Sequence, residues 1–221
     1  MEYKPNGHET IKSALFVDFD NVFSGLRKID EDGAKHFATN PGRWLAWLER
    51  GLRKETSSPD TFHERSVLIR RCYLNPIAFG KYRRYFTQNA FSISDCPPLT
   101  QQGKNSTDIH MALDILDTLE HPTRFDEFII FSGDSDFTPV LLRLRAYDRR
   151  TLIMTGAAAA QSYKAASDLV INGHRFIAEG LTGLKDEESD NVKSFAQSVK
   201  RLSVENGLGS LSARLPYFTT T

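Results

Sequence analysis

Two short apolar runs in this chain end in carboxylates. Ala14-Leu15-Phe16-Val17 leads into Asp18-Phe19-Asp20-Asn21, and Phe128-Ile129-Ile130-Phe131 leads into Ser132-Gly133-Asp134-Ser135-Asp136-Phe137. Runs this short and this apolar read as strands buried on both faces, as in a parallel sheet. Between and after them the pattern alternates strand with helix. A first strand over 13–18 is followed by a helix over 21–30, capped by Asn21. Gly33 to Asn40 reads as a loop. Pro41 opens a helix over Gly42 to Lys54, with Trp44, Leu45, Trp47, Leu48 and Leu52 at helical spacing. Val67 to Leu74 is a strand, Pro76 to Asn89 a helix, 91–95 a short strand and Cys96 to Asn105 a loop. Ser106 or Thr107 starts a helix that runs to Leu119. Residues 127–132 form the second acidic-ended strand and Ser135 to Tyr147 its helix. Thr151 to Thr155, Ala157 to Ser167 and Leu169 to Ile171 read as strand, helix and strand.

Strands alternating with helices imply right-handed crossovers and a mainly parallel sheet. The expected fold is a three-layer α/β/α sandwich of Rossmann-like type. Residues 1–180 are expected as the folded domain. The chain turns polar near Gly180, so 181–221 reads as a linker and tail, helical in part through Phe195, Val199 and Leu202. Trp44 and Trp47 at helical spacing are expected in the core. A contact between two copies in a homo-oligomer is the alternative.

In an open α/β sheet, ligands bind at the carboxyl ends of the strands. Two acidic strand ends in one sheet therefore aim several carboxylates at one crevice. Such a cluster repels itself unless protons or a cation neutralise it, and oxygen-only ligands suit Mg²⁺ or Mn²⁺. That points to metal-dependent phosphodiester cleavage. Asp18 is expected as the deep ligand, with Asp20 and Asn21 above it. Asn21 could instead be no more than a helix cap. Asp134 is expected nearest the metal. Asp136 and Asp108 each begin a helix, where dipole stabilisation alone would also explain a carboxylate. Asp108 is placed in the site. Asp114 lies about 240° round the same helix and is left outside it. Ser132 and Asn21 are candidates to contact substrate. Lys104 is another, although Gly103-Lys104-Asn105 does not complete a phosphate-binding loop.

The chain is 40% hydrophobic, and 28 basic residues balance 28 acidic ones, so attraction to phosphate must come from local patches. Basic residues cluster at Arg70-Arg71, Lys81 to Tyr85, Arg143-Arg145 and Arg149-Arg150. Aromatics among the cations of Lys81 to Tyr85 make it the best candidate for single-stranded nucleic acid. Two cysteines, Cys72 and Cys96, are too few for a disulfide framework, and no histidine pair has zinc spacing. With no spanning apolar stretch, the expectation is a cytoplasmic protein with reduced thiols and no membrane partner.

The segments F-V-D-F-D-N (16–21), G-K-N-S-T-D-I (103–109) and F-S-G-D-S-D-F (131–137), in this order, resemble the NYN domain family. These are PIN-like nuclease domains related to the bacterial LabA-like proteins. The resemblance covers about residues 13–178. It implies a PIN-like fold and a Mg²⁺- or Mn²⁺-dependent ribonuclease, an endonuclease, acting on single-stranded or structured RNA. Asp18, Asp108, Asp134 and Asp136 would be its catalytic, metal-binding carboxylates, with Asn21 beside Asp18. Ala166-Ser167-Asp168-Leu169 looks like the family's last acidic position, which would add Asp168. Some members bind RNA without cutting it, so a non-catalytic RNA- or protein-binding module is a second reading. A third is a haloacid-dehalogenase-type phosphatase on Asp18-Phe19-Asp20, which fits poorly because Lys104 precedes Ser132 instead of following it.

Overall fold

The computed structural model describes residues 10–52, 64–97, 106–156 and 159–182. Lys104, most of the loop before Ser106, and the 183–221 tail lie outside them. In chain order the elements are β1 (Ile11–Asp18), α1 (Phe19–Arg27), α2 (Glu31–Thr39), α3 (Pro41–Ala46), β2 (Arg65–Leu74), α4 (Pro76–Phe79), α5 (Arg83–Gln88), β3 (Ser92–Asp95), α6 (Thr107–Leu119), β4 (Glu127–Phe131), α7 (Thr138–Ala146), β5 (Arg150–Thr155), α8 (Gln161–Ala166), β6 (Leu169–Asn172) and α9 (Gly173–Arg175). The strands form one sheet in the order β3-β2-β1-β4-β5-β6, and every pairing is parallel. The order reverses between β1 and β4, so the crevice falls at the carboxyl ends of the two acidic strands.

Alternation along the strands sends side chains to two helical layers. Ala14 and Phe16 of β1, with Phe128 and Ile130 of β4, pack against Met111, Ile115, Val140, Leu141, Leu144 and Tyr163 of α6, α7 and α8. The opposite layer is aromatic. Packing there centres on Trp44, whose ring lies 5.6 Å from Phe37 and 5.3 Å from Phe131 and whose Nε1 donates to the Phe37 carbonyl. Trp44 and Trp47 are both buried, as core residues. Among the described residues no helix is long and apolar enough to cross a membrane.

Several local expectations are corrected. Asn21 does not cap α1. Asp18 does, because it is the last extended residue and its carboxylate accepts the Asn21 N–H. The segment expected as a loop, Gly33 to Asn40, is most of α2. Asp30 caps it by accepting from Asp32 and Gly33, and Ala34, Phe37 and Ala38 are buried at helical spacing. The helix expected over 42–54 is an α-helix only to Ala46, and a wider π-type turn follows over Trp47–Gly51. The helix expected over 76–89 is broken by a 3-10 turn at Gly80–Tyr82. A further helical stretch, α9 and a π-type turn over Phe176–Thr182, follows the last strand.

Candidate active site

Register brings the site together. Val17 pairs with Phe131, so the next residues, Asp18 and Ser132, stand side by side at the carboxyl ends of β1 and β4. Asp18 continues the Ala14–Phe16 face, the face that α6 covers. Asp108 lies in the first turn of α6, seven residues from buried Ile115 and so on the same side of that helix. It therefore overhangs the same end of the sheet.

Asp18 is only 5% exposed. One oxygen accepts the Asn21 N–H at 3.2 Å and the other accepts the Ser132 hydroxyl at 3.4 Å. Burial drives its pKa up to about 7 against these two hydrogen bonds, and the neighbouring Asp108 and Asp20 push it further in the same direction. Burial also raises Asp108, followed by the charges of Asp134 and Asp136. These mutual effects join Asp18, Asp108, Asp134 and Asp136 into one acidic group. Among the described residues, none of the influences on Asp18 or Asp108 comes from a basic side chain.

Asp134 caps the 3-10 turn Ser135–Phe137 by accepting the Asp136 N–H at 2.9 Å. Its own N–H goes to Ser132 Oγ at 3.2 Å. Ser132 is therefore not displayed to a substrate as its sequence position suggests. It is fully buried, donates to Asp18 and accepts from Asp134. Asn21 Oδ1 accepts the Gly133 N–H at 2.8 Å. A Cβ at residue 133 would sit 3.3 Å from that oxygen, so glycine allows the close approach. Asp20 accepts the backbone N–H of Asn75 at 3.1 Å, which ties the end of β2 to the site.

Two more of the carboxylates considered lie elsewhere. Asp114 holds Arg71 and the Tyr73 hydroxyl, at 2.5 Å from the latter. Burial opposes its charge, but Arg71 and Tyr73 outweigh that and keep it below its ordinary value. Asp168 accepts the N–H and hydroxyl of Thr151 at 2.8 and 3.0 Å. Thr151 pairs with Phe128 near the amino end of β4, so Asp168 sits at the other end of the sheet from Asp18.

Tyr163 carries no catalytic signature in the sequence, yet its hydroxyl donates to the Ser132 carbonyl at 3.2 Å. Burial, with Asp134 and Asp18 nearby, pushes its phenol well above its ordinary value. The single aromatic residue in an alanine-rich stretch was the available signal for an inward-facing side chain.

The donors are carboxylate oxygens, the chemistry Mg²⁺ and Mn²⁺ prefer. Among the described residues no three His, Cys, Asp or Glu side chains converge tightly enough to hold an ion as they stand. Mg²⁺, however, is commonly held by one or two carboxylates and keeps several waters. The crowding of carboxylates around Asp18 is what a cation would relieve. The residues fit such an ion.

Comparison with known proteins gives the family and the fold. The model of the NYN domain matches residues 12–178. A crystal structure of a protein of unknown function from Vibrio parahaemolyticus superposes with a TM-score of 0.53 at 17% identity, covering 76% of this chain and 96% of that one. That likeness concerns the fold. No curated protein matches the chain.

Proposed function

The chain belongs to the NYN domain family, and from that premise we propose that it is a Mg²⁺- or Mn²⁺-dependent ribonuclease that hydrolyses RNA phosphodiester bonds internally. The observation that carries this reading is the buried Asp18 at the sheet's reversal point, raised to about 7 and surrounded by other carboxylates. Asp18, Asp108, Asp134 and Asp136 would hold one or two ions. A bound ion supplies an activated water and shields the charge that develops on phosphorus and the leaving oxygen. The chain's own contribution is positioning. Asn21 N–H and Ser132 fix the Asp18 oxygens, the Asp136 N–H fixes Asp134, and Asn21 fixes the turn that carries Asp134.

The phosphatase reading requires Asp18 to attack as a nucleophile. Both of its oxygens already accept hydrogen bonds and the group is nearly closed to solvent, which suits a ligand better than an attacking group. The reading of a non-cutting RNA-binding module is favoured by one observation, the absence of a tight three-ligand convergence among the described residues.

Cleavage of labelled single-stranded RNA and of its DNA equivalent, with Mn²⁺, Mg²⁺ or EDTA, decides between them. The expected result is cleavage of RNA that needs metal and disappears in Asp134→Asn while RNA binding persists. Well-folded protein that binds RNA and never cuts it with metal present would assign the module reading instead.

A further inference from the structure

Most cations of the sequence clusters are already spent. Arg70 is paired with Glu49, Arg71 with Asp114, Arg83 with Asp95, Arg145 with Asp168 and Arg150 with Glu127. Lys81 and Arg84 differ. Both are exposed, and among the described residues neither has a carboxylate partner. Each instead lies over an adjacent tyrosine ring, Lys81 at 5.0 Å from Tyr82 and Arg84 at 4.7 Å from Tyr85. Among the described residues Arg143 also lacks a carboxylate partner and lies over the Tyr147 ring at 4.9 Å, but it lines the same cavity as the exposed carboxylate Glu120. Ile77, four residues before Lys81, is 80% exposed, the most exposed large apolar side chain among the described residues. Residues 77, 81 and 84 lie one each in α4, the 3-10 turn and α5. Their exposure places them on the outer face, with Phe79, Tyr82 and Phe86 turned inward.

That segment is anchored directly to the acidic site. Phe19, between Asp18 and Asp20, is fully buried, with ring contacts to Phe79 at 5.2 Å, Tyr82 at 5.6 Å and Phe86 at 5.5 Å. Asn75 caps α4 through Ile77 and Ala78 while its own N–H goes to Asp20. An apolar tip near the crevice, followed by two free cations, matches the base and the phosphates of an unpaired strand. The exposed apolar residues of α6 and α7, Ile109, Leu113 and Leu142, do not offer this. On α6 the exposed carboxylate Asp117 lies one helical turn from Leu113, and the exposed Glu120 follows at the end of that helix; both repel phosphate.

We infer that the outer face of residues 76–88 is a docking ridge for single-stranded RNA, with Ile77 against a base and Lys81 and Arg84 on consecutive phosphates. The choice of RNA rests on the nuclease reading above. The ridge itself is tested by binding.

The test uses the full chain carrying Asp134→Asn, in EDTA, with a fluorescein-labelled single-stranded oligoribonucleotide and anisotropy measured across a salt series. Lys81→Ala/Arg84→Ala is expected to weaken binding tenfold or more and to flatten the slope of log K against log salt by about 1.4, roughly 0.7 for each lost phosphate contact. Lys81→Arg/Arg84→Lys keeps the slope. Ile77→Ala weakens binding several-fold with the slope unchanged, and Arg143→Ala changes nothing. Affinity and slope unaltered in the double alanine variant, or no binding by the parent, overturn the ridge. Cleavage assays with metal separate the two proposals. Cutting with unaltered KM in the double variant removes the ridge and leaves the nuclease. Ridge-dependent binding by a wild type that never cuts removes the nuclease and leaves the ridge.

Discussion

Asn21 Oδ1 accepts the backbone N–H of Gly133 at 2.8 Å, which fastens the first turn after β1 to the turn after β4. These turns carry Asp18 and Asp134, so one side-chain amide sets the spacing of two carboxylates 116 positions apart in sequence. Asn21→Ala leaves a half-buried N–H without its partner. The expected cost is about 1–2 kcal/mol of stability. Metal-dependent cleavage should fall by more than the folded fraction does, which urea unfolding and kcat measured together will show. Unchanged kcat would mean the clamp is structural only.

Asp18 sets a pH dependence. In the native state it holds a proton up to about pH 7, whereas its ordinary value is 3.8. The native state therefore binds more protons than the unfolded chain between these values. Without metal, stability falls as pH rises through that window, by about 4 kcal/mol if Asp18 acts alone. Urea titrations in EDTA at pH 5 and pH 8 should show about 2–3 kcal/mol of that loss, because pH 5 already lies inside the window. Asp18→Asn should remove most of it, so the variant is more stable than wild type at pH 8 and close to it at pH 5. Equal pH dependence in the two proteins would refute the assignment.

Cation binding must displace that proton. The gain in melting temperature on adding Mn²⁺ is expected to be larger at pH 8 than at pH 5. Asp18→Asn should lose most of the gain. A metal shift that is the same at both pH values would place the ion away from Asp18.

Glu127 lies at the opposite end of the sheet. Its carboxylate accepts from Arg65 Nε at 2.6 Å and from Ser13, and both ion-pair side chains are almost wholly buried. Glu127→Ala strands the Arg65 charge and should cost about 3–5 kcal/mol. The activity of the remaining folded protein should be near wild type. Chemical denaturation gives the first quantity and active-site-normalised kinetics the second.

Asp114 and Asp168 separate acidic residues by location. Asp114→Ala should destabilise by about 1–3 kcal/mol by freeing Arg71 and the Tyr73 hydroxyl. Asp168→Asn weakens the Thr151 contacts and removes the exposed ion pair with Arg145. Metal-dependent cleavage per folded molecule is expected to survive both, in contrast to Asp134→Asn. Its abolition in Asp168→Asn would bring the far end of the sheet into the mechanism.

The sequence by itself determined the strands, the parallel sheet and the acidic ends of β1 and β4. Each is a local property, since apolar runs of this length cannot be left in water and their period fixes the element. Local signals also existed for what was missed. Asp30 with an acidic first turn marks α2, although Gly33 obscures it. Only the tertiary structure decided how the candidate residues are used. The reversal of strand order at β1 and β4 put Asp18 beside Ser132, and the crossover through α6 brought Asp108 above them. The parallel register carried Asp168 to the other end of the sheet, although its sequence context matches the acidic positions. Among the described residues, pairing across the fold likewise took up most of the basic clusters and left Lys81 and Arg84 among those without a carboxylate partner. The reason is physical. A hydrogen bond or ion pair depends on distance in space, and residues more than a hundred positions apart acquire a distance only when the sheet forms.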